Sequence, residues 1–227
     1  MKLSFLRNIS CFLYALTLFF CVASPQAVAG DLTLVALGDS TTAGSPAFQS
    51  PREFPPEGRG DPRSQYAYWI HERHPEWRLV NQGVSGERSD QILKRFKKDV
   101  SDLKPDVVIV LAGVNDLYQG YETSWVLRNL ESIYQEARHE GIRVLVCTIL
   151  PVDRSTASLK RKIREVNEWI KHFSQDQGLG FCDTFQALQH PKKPGSLFST
   201  SDGFHPDVEG YRKMARVISN ALEQMGL

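Results

Sequence analysis

The sequence predicts an α/β fold, a three-layer α/β/α sandwich built around a five-stranded parallel sheet. Short apolar runs alternate along the chain with longer segments whose apolar residues recur at helical spacing. The run "DVVIVLA", residues 106–112, is apolar on both faces, which is typical of a central strand covered by helices on both sides. This regular alternation favours parallel strands joined by right-handed crossovers.

The predicted elements follow one another without an internal repeat. The five strands are expected at 32–37, 78–81, 107–112, 143–149 and 179–183. The main helices are expected at 65–74, 87–103, 123–140, 158–177 and 206–225. Open parallel sheets carry their sites beyond the carboxyl ends of the strands, so the segments that follow each strand are the places to look for function.

The first 29 residues have the pattern of a secretory signal peptide: a short basic start, an apolar run over about 9–22, and "AVA" at the end. We expect cleavage after Ala29 and a single secreted or periplasmic domain over 30–227. The apolar run is shorter than the roughly 20 residues that a spanning helix needs, so no stable membrane span is expected after cleavage.

The charge of the chain argues against a nucleic-acid partner. The signal segment contains two basic and no acidic residues, so its removal changes the formal net charge from +1 to −1. A nearly neutral domain lacks the basic footprint that nucleic acids require. The basic run of Lys94, Arg95, Lys97 and Lys98 is interpreted as the solvated face of a helix.

Two cysteines, Cys147 and Cys182, lie outside the signal segment, each in a strand-like run. An oxidising compartment permits a bridge between them, but buried free thiols are the favoured interpretation, because pairing needs a specific geometry. No Cys-x-x-Cys motif and no histidine cluster accompanies them, so no zinc site is expected. No other metal and no cofactor is expected either.

The first predicted strand ends in Gly38, Asp39 and Ser40, within "GDSTTAG". A Walker phosphate loop is excluded by the glycine spacing and by the lack of a following lysine. A hydroxyl-rich loop that binds phosphate, as in a flavodoxin-like domain, remains open for this stretch alone. The other interpretation is a serine displayed for attack on a carbonyl, with Asp39 holding the turn.

Near the other end of the chain, "SDGFHP" places Asp202 three residues before His205. On a turn that leads into a helix, this spacing allows a carboxylate–imidazole hydrogen bond that orients the histidine. The pair would supply two members of a nucleophilic triad, with Ser40 as the third. We place Pro206 in the first turn of the last helix.

An acyl-transfer site also needs donors for an oxyanion. The candidates are the side chain of Asn115 in "GVND", the N–H of Gly86 at the predicted start of a helix, and the N–H of Ser40. The segment 45–64 contains five prolines and two glycines and begins just after Ser40, so we expect it to form a wall or lid over the site.

In this combination the sequence resembles the SGNH (GDSL-type) hydrolase family. The matching blocks are "GDS" at Ser40, "NQGVSG" at Gly86, "GVND" at Asn115, and "DGFHP" at Asp202 and His205. Their order and separations agree over nearly the whole predicted domain. The chain differs in having Thr41 where the leucine of the family name stands, and in a longer proline-rich segment.

The resemblance implies a flavodoxin-like SGNH hydrolase fold and a serine esterase that forms an acyl-enzyme. It implies Ser40 as nucleophile, His205 as general base and then acid, and Asp202 as its partner. Ser40, Gly86 and Asn115 would form the oxyanion hole. The expected substrates are small-molecule esters, lipids or acylated glycans.

Within the family, the chain is similar to the thioesterase/lysophospholipase/arylesterase branch. One alternative is a carbohydrate O-acetylesterase whose sugar cleft is shaped by Arg52, Arg59 and Arg63. Tyr118, three residues after Asn115, is expected to line the pocket in either case. The others are a flavodoxin-like domain that binds a phosphate ligand, and an envelope protein that binds glycans without turning them over.

Overall fold

The computed structural model describes residues 32–153 and 155–227, and the predicted signal peptide at 1–29 lies outside these residues. The strands, in chain order, are β1 (Thr33–Gly38), β2 (Phe48–Gln49), β3 (Arg59–Gly60), β4 (Arg78–Gly83), β5 (Val107–Leu111), β6 (Arg143–Cys147), β7 (Gly180–Cys182), β8 (Gln189–His190) and β9 (Lys193–Leu197). The α-helices are α1 (Ser40–Ala43), α2 (Tyr66–Arg73), α3 (Ser89–Lys94), α4 (Phe96–Asp99), α5 (Val114–Tyr118), α6 (Thr123–His139), α7 (Ala157–Gln177), α8 (Thr184–Leu188) and α9 (Val208–Gln224).

The central sheet is parallel and has the strand order β4-β1-β5-β6-β7. Counted along the chain, this is the 2-1-3-4-5 order of flavodoxin-like sheets. The order reverses between β1 and β5, and ligands bind open sheets at the crevice formed there. The predicted three-layer α/β/α sandwich with a five-stranded parallel sheet is confirmed.

Alternate side chains of each strand enter two separate apolar layers. On one face, strand residues such as Val35 and Val108 pack with helices α3, α4, α6 and α7. On the other, Leu34 and Ile109 pack with α2, α8 and α9. Both layers are fully buried at the central strands, which explains why β5 reads as a continuous apolar run rather than an alternating one.

The five predicted strands all occur, but the helix predicted at 87–103 is interrupted. It is divided into α3, α4 and a 3₁₀ turn at Ser101–Leu103. Arg95, between α3 and α4, has φ −99° and ψ 2°, and its side chain turns towards the ends of β1 and β4. The helical periodicity of the sequence does not reveal this inward turn.

The last helix begins later than predicted. Asp207 is its N-cap, with a carboxylate that accepts the N–H of Gly210 at 3.0 Å, and the first helical residue is Val208. Pro206 therefore precedes the helix, because the aspartate cap starts the first turn after it. His205 lies in the preceding loop, not on the helix.

The two cysteines lie opposite each other on the neighbouring strands β6 and β7, and both are free and buried. Their contact and their burial raise the pKa of the Cys147 thiol. In the part of the chain that the structure describes, no helix combines the length and apolar character needed to cross a bilayer.

Candidate active site

Sheet register brings three distant segments to one edge. Gly38, the last residue of β1, pairs with Gly83 of β4 on one side and with Leu111 of β5 on the other. Ser40, Gly86 and Asn115 follow these three residues by two, three and four positions. The candidate residues of three sequence blocks therefore meet where the strand order reverses.

Ser40 is the first residue of α1, directly after a tight turn. Asp39 is the N-cap of this helix, and its carboxylate accepts the N–H of Thr41 at 3.0 Å. Gly38 has no space for a side chain, because a Cβ there would collide with Thr42 and with the carbonyl of Leu111. The hydroxyl-rich stretch is thus a strand-to-helix turn, in which Asp39 has the structural position expected from the sequence.

His205 connects Ser40 to Asp202. Its Nε2 lies 2.9 Å from Ser40 Oγ, and its Nδ1 lies 2.7 Å from Asp202 Oδ2. A carboxylate can only accept a hydrogen bond, so Nδ1 carries a proton and Nε2 is free to accept the serine proton. The loop before α9 therefore brings together the three side chains that the sequence singled out.

Asp202 also organises the backbone of this loop. Its Oδ1 accepts the N–H groups of Phe204 at 2.7 Å and His205 at 2.8 Å. Partial burial raises the pKa of Asp202, but these hydrogen bonds and the bond and charge of the His205 ring outweigh it and lower the pKa to about 2. The carboxylate that faces the imidazole is therefore ionised at neutral pH.

Three candidate hydrogen-bond donors line the same cavity as Ser40 and His205. The N–H groups of Ser40 and Gly86 donate to no acceptor within the described residues. One N–H of the Asn115 amide donates to the carbonyl of Glu87 at 2.8 Å, which leaves the other available. The arrangement offers three donors beside a serine hydroxyl, which is the chemistry of an oxyanion site.

Gly86 differs from the sequence expectation, because it does not open a helix. It lies in a turn closed by a 3.4 Å hydrogen bond from the N–H of Glu87 to the carbonyl of Val84, and α3 begins only at Ser89. Gly86 has φ 78°, a left-handed conformation that a glycine adopts without strain. The N–H of Gly86 is therefore left without an acceptor in the described residues by the turn, and not by its being at the start of a helix.

The proline-rich segment 45–64 supports this turn rather than covering the cavity as a lid. Glu53 accepts the N–H of Ser85 at 2.7 Å, and Ser50 donates its hydroxyl to the carbonyl of Gly83 at 2.6 Å. Only Ser45 of the segment lines the cavity. The segment also contains the β2–β3 hairpin, so it is not structureless.

The arginines of this segment do not shape a cleft. Arg52 binds Asp99, Arg59 binds Gln49, and Arg63 binds Asp61. None of the three lines the cavity beside Ser40. The predicted arginine-lined sugar cleft is therefore not formed by these side chains.

The cavity has a volume of about 350 Å³, and its polar lining includes Ser40, Asn115 and His205. The rest of its wall is mainly apolar, and is formed by Leu111, Ala112, Val114, Ile149, Leu150, Val152 and Phe204. Tyr118 also lines it, as expected; the residue is 60% exposed, and its ring meets the ring of Phe204 edge to face with centroids 5.2 Å apart. A partly apolar ligand fits such a space.

Two polar side chains, Asp116, which is buried, and Arg95, which is nearly so, have positions near the site that the sequence interpretation missed. Asp116, after Asn115, accepts both the N–H and the hydroxyl of Ser89, at 2.8 and 2.7 Å, and so attaches α5 to α3. Arg95, interpreted from the sequence as solvated, has a side chain only 9% exposed. Because Arg95 stands among other basic residues at 94–98, the sequence did not distinguish it from its solvated neighbours.

Asp39 is the most perturbed carboxyl group of the site. It is 1% exposed, and this burial raises its pKa to about 6, although the N–H of Thr41 and the charge of His205 oppose the shift. Ionisation of Asp39 at neutral pH therefore costs folding free energy.

Comparison with known proteins identifies a family and related enzymes. The model of the GDSL-like lipase/acylhydrolase family matches residues 36–213. An arylesterase of Vibrio mimicus is 27% identical over 211 residues, which are 92% of this chain and 96% of the relative. An acetylxylan esterase of Geobacillus stearothermophilus is 24% identical over 155 residues, 61% of this chain and 69% of the relative.

Among solved structures, a GDSL-like lipase from Bacteroides thetaiotaomicron superposes with a TM-score of 0.70. The match covers 89% of this chain and 93% of that structure at 24% sequence identity. At this identity the likeness supports the fold alone.

Proposed function

Since this chain belongs to the GDSL-like lipase/acylhydrolase family and is a carboxylic ester hydrolase, we propose that it acts through an acyl-enzyme formed on Ser40. The observation that carries this proposal is the unbroken series of hydrogen bonds from Asp202 through His205 to Ser40. A binding domain for a phosphate ligand has no use for this series, and family membership also argues against that alternative.

In the first half-reaction, Ser40 Oγ attacks the ester carbonyl carbon as its proton passes to His205 Nε2. The carbonyl oxygen becomes an oxyanion, which accepts hydrogen bonds from the N–H groups of Ser40 and Gly86 and from the Asn115 amide. The carbon–oxygen or carbon–sulfur bond then breaks, and the leaving alcohol or thiol takes the proton from His205 Nε2.

In the second half-reaction, water attacks the acyl carbon and gives its proton to His205 Nε2. The bond to Ser40 Oγ breaks, the proton returns to Ser40, and the carboxylic acid leaves. Asp202 stays ionised throughout; it keeps the imidazole oriented and stabilises the imidazolium that forms in each half.

The experiment that tests this mechanism is labelling with a fluorophosphonate, which reacts only with an activated serine. We expect wild-type protein to be labelled and to lose esterase activity, and Ser40→Ala to show neither labelling nor turnover. Ser132→Ala, which removes a hydroxyl bonded to its own helix at 2.9 Å, is the matched control. Full turnover by folded Ser40→Ala protein contradicts the proposed nucleophile, and neither labelling nor turnover by folded wild-type protein favours a site that binds but no longer reacts.

For the substrate, we propose acyl chains longer than acetyl, on lysophospholipid, aryl-ester or thioester leaving groups. The apolar wall along the 350 Å³ cavity supports this, because an acetyl group would leave most of it uncovered. The likeness to an arylesterase over nearly the whole chain supports it further.

The alternative substrate is an O-acetylated carbohydrate. The exposed Tyr118 in the cavity lining favours it, as does the likeness to an acetylxylan esterase. Aryl acetate and aryl octanoate, compared with acetate release from acetylated xylan oligosaccharides, separate the two. A higher kcat/KM for octanoate supports the longer chain, and efficient acetate release from the glycan with little octanoate activity supports the alternative.

We also propose that residues 1–29 direct secretion or export to the periplasm and are removed after Ala29. The proposal rests on the basic start, the apolar run and the small residues of that segment. N-terminal sequencing of protein recovered outside the cytoplasm tests it, because a chain beginning at Gly30 is the expected product and an intact Met1 start contradicts cleavage.

A further inference from the structure

Arg95 lies between helices α3 and α4 with only a small part of its side chain exposed, and four of its five N–H groups have partners among the described residues. Nε donates to Glu87 Oε2 at 2.6 Å, and Nη1 donates to the carbonyl of Gln82 at 2.8 Å and to Asp99 Oδ2 at 2.7 Å. Nη2 donates to the carbonyl of Gly38 at 2.9 Å. A single guanidinium thus connects two strand ends, a turn and a helix.

Two of these partners lie a few residues before proposed oxyanion donors in the chain. The carbonyl of Gly38 lies two residues before Ser40, at the end of β1. The carbonyl of Gln82 belongs to the end of β4, from which the chain enters the turn that contains Gly86. Arg95 therefore connects the two segments whose residues Ser40 and Gly86 line the same cavity.

The third proposed donor is connected through Glu87. Its carboxylate binds Arg95 at 2.6 Å, and its backbone carbonyl accepts the Asn115 amide at 2.8 Å. The position of the Asn115 side chain therefore depends on where Arg95 holds Glu87.

We propose that Arg95 is a positioning residue that holds the three oxyanion donors of Ser40, Gly86 and Asn115 in one fixed arrangement. The inference rests on the proposed function, because it assigns a purpose to Arg95 only if those three groups form the oxyanion hole. Arg95 itself does not line the cavity and has no part in proton transfer.

An arginine suits this position better than any other residue. Its guanidinium is planar, stays charged and directs five donors in fixed directions, whereas a lysine ammonium is a single rotating point. Its charge is matched by Glu87 and by Asp99, whose side chain is 2% exposed. Buried ion pairs contribute little net stability compared with apolar replacements, so a specific geometric role explains this one better than stability does.

The expected consequence of losing Arg95 is a lower kcat with little change in KM, because the donors act on the transition state more than on the bound ester. A displacement of about 1 Å at a reacting group can cost about 10²-fold in rate. We therefore expect kcat to fall by roughly 10–10²-fold.

Removal of Arg95 alone leaves the Glu87 carboxylate without a partner and Asp99 with Arg52 only, which threatens the fold, so the main test variant is Arg95→Met/Asp99→Leu. It replaces the pair by apolar side chains of similar size, and the charges that lose a partner, on Glu87 and Arg52, both keep contact with solvent. Lys97→Met is the matched control, because it breaks a solvent-exposed ion pair with Asp102 in the same region. Tm, kcat and KM with one aryl ester are measured for each.

Arg95→Lys is the second variant, since it keeps the charge next to both carboxylates but cannot reach all four acceptors. We expect both Arg95 variants to keep a cooperative unfolding transition and to lose kcat, and Lys97→Met to keep the wild-type values. A wild-type kcat in either folded Arg95 variant overturns the proposal.

Combination with Asn115→Ala distinguishes this role from general damage. If Arg95 acts through the donors, Arg95→Lys lowers kcat less in the Asn115→Ala background than in the wild type. Equal factors in both backgrounds overturn the proposal while leaving the oxyanion hole intact. Unchanged turnover by Asn115→Ala alone overturns the oxyanion hole and the role of Arg95 together.

Discussion

The imidazole Nε2 of His205 lies 2.9 Å from the hydroxyl of Ser40, although 165 positions separate the two residues in the chain. Ser40 follows the first strand of the sheet and His205 precedes the last helix, so neither local sequence contains the other member of the pair. The short loop anchored by Asp202 and the N-cap of α9 brings the ring to the serine. The contact between His205 and Ser40 therefore forms only when the whole domain has folded.

Asn115→Ala should keep the fold and lose most of its turnover. The variant removes one proposed oxyanion donor, and loss of one such donor typically lowers kcat by roughly 10²–10³-fold. It also removes the hydrogen bond to Glu87, at a cost of about 1 kcal/mol in the free energy of unfolding. Esterase kinetics and chemical denaturation measure both effects. Gln119→Ala, an exposed amide one turn away, serves as the control, and wild-type kcat in Asn115→Ala would remove Asn115 from the mechanism.

Asp202→Asn should lower kcat by about 10²–10⁴-fold. An amide accepts a weaker hydrogen bond from His205 Nδ1 than a carboxylate does, so it orients the imidazole less firmly, and it has no charge to stabilise the imidazolium. The fluorophosphonate labelling rate should fall in parallel, since it also requires an activated Ser40. Circular dichroism checks that the loop change leaves the fold intact. A folded variant with an unchanged labelling rate contradicts the role assigned to Asp202.

Asp202 should also make the free energy of unfolding depend on pH in the acidic range. Its pKa of about 2 in the folded protein lies below the ordinary value of 3.8, so its contribution is fully present above about pH 4 and is lost as the pH falls towards 2. Because its side chain is 35% exposed, solvent screening reduces this contribution to the order of 1 kcal/mol. Urea unfolding of wild type and Asp202→Asn should therefore converge between pH 4 and pH 2. A constant difference across that range contradicts the assignment.

Asp39→Asn should stabilise the protein at neutral pH. The pKa of the buried Asp39 is raised from 3.8 to about 6, so the folded state loses stability as the pH rises from about 4 to about 6 and does not regain it above. Asparagine is an equally good N-cap and has no charge to bury. We expect a gain of up to about 3 kcal/mol in the free energy of unfolding at pH 8 and almost none at pH 4.

The control for Asp39 is Asp183→Asn, which changes the exposed N-cap carboxylate of α8. Its effect on the free energy of unfolding should stay within about 0.5 kcal/mol. If Asp39→Asn is no more stable than wild type at pH 8, burial does not penalise the Asp39 carboxylate as inferred.

Val114→Phe should shorten the acyl chains that the enzyme accepts. Val114 begins α5 and lines the apolar part of the cavity next to Asn115. A larger ring there fills space that a long chain needs, so kcat/KM for aryl octanoate should fall at least about tenfold while aryl acetate is nearly unaffected. Leu127→Phe, on α6 and outside the cavity lining, is the control for added volume. Equal losses for both esters would show that the cavity does not hold the acyl chain.

Strand and helix types were readable from the sequence, because they depend on local periodicity that the printed residues carry. The apolar run at β5 and the alternation of strands and helices around it were sufficient to predict a parallel sheet. The short motifs around Ser40, Asn115 and Asp202 were sufficient to predict the candidate catalytic groups. The predicted start of α9 was wrong, because the sequence does not show whether the helix begins at Pro206 or is capped by the side chain of Asp207.

Tertiary structure alone decided which polar groups are buried and what they touch. Arg95 reads as one of four basic residues on a helix, yet its guanidinium lies among carbonyls from β1 and β4 that are more than ten residues away. The segment 45–64 likewise reads as a wall or lid over the site, but only its Ser45 lines the cavity, and the segment packs against the turn at Ser85. Composition and spacing determine which chemical groups are available, whereas strand register determines which of them meet, because only the assembled sheet brings distant strand ends to a single edge.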